Sequence, residues 1–228
     1  MGYYIDLESI SLDIYQAKIE AAYLPPGRKI LKERTDERFG YFNRIGIKNV
    51  KELLNALRMK DKFNELSKAE CFTGSYLTIL LRELNSILPK PIRIRDFPGI
   101  SSEIVDKLEM TGIKDTVKLF EMVKNFESRK ELADAIGITQ AEILEITHLT
   151  DLARIKWVGG TFARILYDIG VDTVEKVSKA NVDNLHHQIN QINKERNYYK
   201  GQIGLNDVKI VVNAAKELPL EIEYEADS

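Results

Sequence analysis

The chain has 228 residues, more than the roughly 100–150 of one typical domain, so one large domain or two to three small ones are expected. Hydrophobic residues make up 44% and charged residues 30%, a globular balance that excludes a wholly disordered chain, and no apolar run approaches the roughly 18 residues of a membrane span. The formal net charge of −2 by itself argues against a nucleic-acid binder, but its distribution is uneven: −3 over 1–27, +8 over 28–95, −6 over 96–151, +4 over 152–216 and −5 over 217–228. The basic block at 28–95 reads either as an electrostatic footprint or as part of a mixed, solvated surface.

In chain order, Met1-Gly2-Tyr3-Tyr4-Ile5-Asp6 lacks the basic start and apolar core of a signal peptide and alternates as a short strand would. A single cysteine, Cys71, excludes an internal disulfide and a multi-cysteine metal site, and the expected location is cytoplasmic. Residues 1–30 read as an N-terminal strand and helix. Residues 31–96 read as a first helical repeat, opening with a charged helix at Leu31–Phe39 and closed by the helix-breaking Leu88-Pro89-Lys90-Pro91. Residues 97–154 and 155–228 read as a second and a third repeat. Apolar stripes mark helices at Ile104, Val105 and Leu108, at Leu119, Phe120 and Val123, and at Leu132, Ile143 and Ile146. The last segment, Leu220-Glu221-Ile222-Glu223-Tyr224-Glu225, alternates again. It is expected either to form a small terminal β-ribbon with Tyr3-Tyr4-Ile5, within the chain or between two chains, or to be an acidic tail.

The repeat is carried by three glycines, Gly46, Gly112 and Gly170. Phe42-Asn43-Arg44-Ile45-Gly46-Ile47, Leu108-Glu109-Met110-Thr111-Gly112-Ile113 and Leu166-Tyr167-Asp168-Ile169-Gly170-Val171 share one pattern. A glycine just past a helix adopts the left-handed conformation and closes a Schellman motif, which sets the residue after it against the one four before it. Those pairs, Ile47 with Phe42, Ile113 with Leu108 and Val171 with Leu166, are all apolar. Asn49, Asp115 and Thr173 then stand where a helix N-cap is needed, and Glu52 makes a capping box with Asn49. Downstream, Leu66, Phe72, Leu77 and Leu80 match Leu132, Ile138, Ile143 and Ile146 at the same offset that separates Gly46 from Gly112, while the third repeat diverges after Val177.

Phe97-Pro98-Gly99-Ile100-Ser101-Ser102 and Ile155-Lys156-Trp157-Val158-Gly159-Gly160-Thr161 precede their closing glycines at one spacing and fit the helix-hairpin-helix pattern. In that pattern the second helix opens with unpaired N–H groups, and glycines let a phosphate oxygen approach them. Pro98, Gly99, Ser101 and Ser102 form the second repeat's candidate contact, although Asp96, Glu103 and Asp106 surround it. Arg154, Lys156, Trp157, Gly159, Gly160, Thr161 and Arg164 form the third repeat's candidate contact. Trp157 occupies the first glycine position of that turn. It is read as a core residue or a base-stacking one, on a turn altered to avoid a positive φ.

Leu149-Thr150-Asp151-Leu152-Ala153-Arg154-Ile155, Val158-Gly159, Phe162-Ala163, Gly170-Val171-Asp172-Thr173-Val174, Asn184-Leu185 and Asn193 resemble the helix-hairpin-helix family catalogued as domain of unknown function 4332, best over about 129–216. The resemblance implies a bacterial protein related to nucleic-acid-binding modules, in a family with no established activity. Trp157 departs from the usual glycine.

No phosphate-loop, dinucleotide or nucleophile-elbow motif is present, and His148, His186 and His187 lack partners at metal-ligand spacing, so no catalytic residue, metal or cofactor is expected. The expected fold is mainly α, with tandem helix-hairpin-helix-like repeats. The expected function is non-catalytic, sequence-independent binding of DNA or RNA, and the alternative is a helical protein–protein adaptor whose hairpins are structural corners.

Overall fold

The computed structural model describes residues 2–224. Among these residues the protein is mainly α, with thirteen α-helices, two 3₁₀ helices and no strand beyond isolated bridges. None of the described helices is long and apolar enough to cross a membrane. The chain divides into two compact units, residues 6–88 and residues 1–5 with 89–228.

The unit of residues 6–88 holds α1 (Leu12–Ala21), a 3₁₀ helix (Pro26–Lys32), α2 (Thr35–Arg44), α3 (Val50–Arg58), α4 (Lys60–Leu66) and α5 (Gly74–Asn85). The charged stretch at 31–39 is not one helix. It breaks at Glu33 and Arg34, where Arg34 takes φ of +51°, and α2 starts at Thr35. Phe39, Phe42, Leu53, Tyr76, Leu77 and Leu80 are fully buried, and Phe72 stacks on Phe42 at 4.8 Å. Part of the basic block serves this interior. Arg38 is buried, lies 3.9 Å from the centre of the Tyr76 ring and donates to the carbonyls of Cys71 (2.9 Å) and Glu33 (2.7 Å). Burial pushes the Tyr76 hydroxyl up to about 12.

The larger unit holds a 3₁₀ turn (Ile94–Asp96), α6 (Ser102–Met110), α7 (Thr116–Met122), α8 (Phe126–Ile136), α9 (Gln140–Leu152), α10 (Gly160–Asp168), α11 (Val174–Lys179), α12 (Val182–Arg196) and α13 (Leu205–Ala215). Its core is continuous from Ile94 through Ile146, Leu166 and Val177 to Val211 and Leu218, so segments 97–154 and 155–228 share one interior.

The helix order follows the sequence spacing. Helices α3, α4 and α5 begin at Val50, Lys60 and Gly74, and α7, α8 and α9 begin at Thr116, Phe126 and Gln140, each displaced by the offset between Gly46 and Gly112. The starts of α10 and α11, Gly160 and Val174, follow those of α6 and α7 by the offset between Gly112 and Gly170. The cause is local. Gly46, Gly112 and Gly170 have φ of +87°, +83° and +76°, and the N–H groups of Ile47, Ile113 and Val171 reach back to Phe42, Leu108 and Leu166 at 3.0–3.1 Å. Asn49, Asp115 and Thr173 cap the following helices. Glu52 does not close a box on Asn49; its Oε2 accepts from Lys48 N–H at 2.8 Å instead. The first N–H of each capped helix also has a distant partner. Val50 N–H donates to Ile10 O (2.9 Å), Thr116 N–H to Ile92 O (2.9 Å) and Val174 N–H to the Asp151 carboxylate (3.2 Å).

The termini form no ribbon within the described residues; Glu225 lies outside them. Tyr3 and Ile222 instead pack on Phe120, and Glu223 N–H donates to Lys124 O at 2.7 Å. A side chain, not a second strand, takes up one carbonyl from each end: the Arg154 guanidinium donates to Tyr3 O (3.2 Å) and Pro219 O (2.8 Å).

Candidate functional site

The third hairpin runs from the end of α9 to the start of α10. Its turn keeps the left-handed residue that a tight corner needs, and Trp157 supplies it at φ of +71°. Gly99, its counterpart in the second hairpin, has φ of +86°, so the turn is preserved and the tryptophan bears the strain. Trp157 is 37% exposed, at the protein surface.

The two hairpins differ at the helix that follows. In the second, the Ser101 hydroxyl accepts from Ile104 N–H (3.3 Å) and serves the opening of α6, while Ser102 is exposed on its first turn. In the third, α10 opens from the exposed Gly159, whose lack of a side chain leaves the helix without a side-chain cap. Gly160 and Thr161 are half-buried on its first turn. The need for glycine at Gly160 is steric, since a Cβ there would come within 2.9 Å of Asp96 O.

The basic residues near this hairpin have separate fates. Arg154 is buried and held by Asp151 (2.6 Å), Tyr3 O and Pro219 O. Arg164 is buried too. Its Nε donates to Pro98 O (2.6 Å), its Nη2 to Glu145 (2.6 Å), and its guanidinium lies 3.3 Å from where a Cβ on Gly99 would stand. Burial removes Arg154 and Arg164 from the groups that can meet a phosphate from solvent, and Arg164 takes up the carbonyl of Pro98, while Gly99 itself stays exposed. Lys156 remains half-buried at the surface, its ammonium 5.5 Å from the centre of the Trp157 ring.

Beside the hairpin lies a feature that the sequence reading missed, a cleft of about 210 Å³ lined by Trp157, Phe162, Tyr199, Ile203, Asp207 and Val211. Tyr199 is 39% exposed, and partial burial raises its hydroxyl above the usual range. Its loop is fixed by two α12 asparagines. Asn193 accepts from Tyr199 N–H (2.7 Å) and donates to Gly201 O (2.8 Å), and Asn190 accepts from Ile203 N–H (3.0 Å). The signal was Tyr198-Tyr199-Lys200, aromatic and basic residues together after a helix. The Asp207 carboxylate is turned to Gly204 N–H at 3.3 Å.

A second, polar cleft of about 420 Å³ lies against Arg93, Arg95, Glu109, Lys114 and Asp115. There Arg95 is engaged by Glu109 (2.9 Å) and Asp115 caps α7. Among the described residues, no three His, Cys, Asp or Glu side chains are grouped to hold a metal ion. His186 bonds to Ile203 O at 2.9 Å and His148 to Asp172 O at 3.0 Å.

No curated protein and no solved structure matches the chain. The sequence profile of the Domain of unknown function (DUF4332) matches residues 98–218, more than half the chain and the whole stretch from the second hairpin to the end of the core, and the protein belongs to that family.

Proposed function

We propose that the protein is a non-catalytic, sequence-independent nucleic-acid-binding protein of helix-hairpin-helix type that meets the sugar–phosphate backbone through its third hairpin. The observation that carries this reading is the start of α10, a helix N-terminus with no side-chain cap, opening on the exposed Gly159 next to Lys156. Unpaired N–H groups and the positive end of a helix dipole suit a phosphate oxygen, and a lysine adds charge without reading sequence. The contact set is therefore the backbone at Gly159, Gly160 and Thr161 with Lys156, and not Arg154 or Arg164. A reducing, cytoplasmic setting suits the buried free thiol of Cys71.

Titration of labelled DNA and RNA at several salt concentrations tests this. Binding should weaken with salt, and Lys156→Glu should lower affinity and reduce the log–log salt slope by about 1. No affinity for either nucleic acid at low salt would overturn the proposal. That result would favour the second reading, a protein–protein adaptor. Its support is that the hairpin arginines serve the fold, while Met110, Met122 and Phe126 stand exposed on the same unit.

A further inference from the structure

We infer that the cleft between Trp157 and Tyr199 receives one unpaired base, which makes the ligand of the third hairpin a single-stranded nucleic acid. The inference rests on the nucleic-acid reading above and adds the class of strand.

Four observations converge on it. First, two aromatic rings, each more than a third exposed, line the same cleft, with Phe162, Ile203 and Val211 as its apolar lining. Aromatic platforms of this kind stack on bases of any sequence, because every base has a π-face. Second, the cleft volume of about 210 Å³, below the roughly 300–1,000 Å³ of small-molecule pockets, gives room for one planar ring system. Third, the surrounding charge complements a backbone. Lys156 adjoins Trp157, the exposed Lys200 adjoins Tyr199, and α10 presents its N-terminus, while Asp207, the one acid of the lining, accepts from Gly204 N–H. Fourth, the site is preorganised. Tyr199 sits on a loop pinned by Asn190 and Asn193, and Trp157 sits in a turn that holds it at φ of +71°.

A tryptophan placed where the second hairpin has glycine costs conformational energy that the turn itself does not require. A role for its ring at the surface accounts for that cost. Duplex bases are stacked inward and present no free face, so a cleft of this kind discriminates in favour of splayed-out bases.

The test uses the full chain with a labelled oligothymidylate and a duplex of equal length at low salt. Label anisotropy gives affinity. The intrinsic fluorescence reports the cleft directly, because Trp157 is the only tryptophan of the chain. The single strand should bind about tenfold more tightly than the duplex and should quench Trp157. Tyr199→Ala should weaken single-strand binding at least about fivefold and leave duplex binding unchanged, while Tyr199→Phe should retain it. Trp157→Gly, which removes the ring and suits the turn, should act as Tyr199→Ala does. Equal affinities without quenching, or a Tyr199→Ala variant that binds single strands normally, would overturn the inference while duplex binding kept the backbone reading intact. Absence of binding to both forms would overturn the two together.

Discussion

Trp157 and Gly99 occupy one position of the same turn, and the residues around them set opposite costs for substitution. A large L-residue in the left-handed region loses roughly 1–2 kcal/mol relative to its preferred backbone, while glycine loses nothing of that kind. Trp157→Gly should therefore leave stability within about 1 kcal/mol of the parent, because relief of the +71° φ offsets the contacts of a ring that is 37% exposed. Gly99→Ala should cost more than about 1 kcal/mol, since its φ is +86° and the new Cβ would meet the Arg164 guanidinium at 3.3 Å. Urea midpoints of the two variants decide this, and equal losses would contradict it. His148 yields a second residue-scale prediction. Burial between Tyr167 and Tyr224 lowers its pKa below the usual 6.5, against the opposing pull of Asp172 and Asp151 and with a small push from Lys176. The unfolded chain then takes up the proton first, so stability should fall as pH drops below about 6.5 and continue falling to the folded-state value. His148→Phe keeps the ring stacked on Tyr224 and should flatten the stability profile between about pH 7 and pH 5.5. An unchanged slope would mean that another group carries it.

At the scale of elements, the corners were legible and the arginines were not. A Schellman glycine, its apolar partner and the next N-cap lie within about eight residues, so Gly46, Gly112 and Gly170 and the caps at Asn49, Asp115 and Thr173 could be read from local chemistry. The burial of Arg154 and Arg164 could not, because their carbonyl partners, Tyr3 and Pro98, lie far away along the chain. The same limit hid the cleft, whose Trp157 and Tyr199 come together only when α12 and α13 fold back on α10. The adjacent glycines of the third hairpin looked equivalent in sequence and are not. Gly160→Ala drives a Cβ to 2.9 Å from Asp96 O, a backbone atom that cannot move alone, and should cost on the order of 1–3 kcal/mol. Gly159→Ala meets nothing within 4 Å at φ of −87° and should change stability by less than about 1 kcal/mol. Thermal unfolding of the pair measures the difference, and a reversed order would remove the packing explanation for Gly160.

At the scale of the whole larger unit, one buried guanidinium joins the two ends of the chain. Arg154 lies 4.6 Å from the centre of the Phe120 ring, is paired with Asp151 at 2.6 Å and donates to both Tyr3 O and Pro219 O. The Tyr224 hydroxyl donates to the other oxygen of Asp151 at 3.2 Å, and its ring lies parallel to His148 at 4.7 Å. Sequence alternation marks both ends as strand-like segments in need of partners; among the described residues neither forms a strand, because strand pairing is only one way to satisfy a carbonyl, and here a long-range arginine does so. A chain ending at Leu218 loses the Pro219 acceptor, the Ile222 contact on Phe120 and the Tyr224 bond, and leaves the Arg154–Asp151 pair short of partners in a buried place. Such a truncation should cost at least about 2 kcal/mol. The single change Tyr224→Phe, which keeps the stack and removes one hydrogen bond, should cost about 1 kcal/mol. Because the contacts of the strap are made within one chain, the loss should appear in the urea midpoint without any change in molar mass by light scattering. A parent dimer that became monomeric on truncation would show instead that these end segments pair between chains. An unchanged midpoint would show that the strap from Pro219 to Tyr224 adds nothing to the fold.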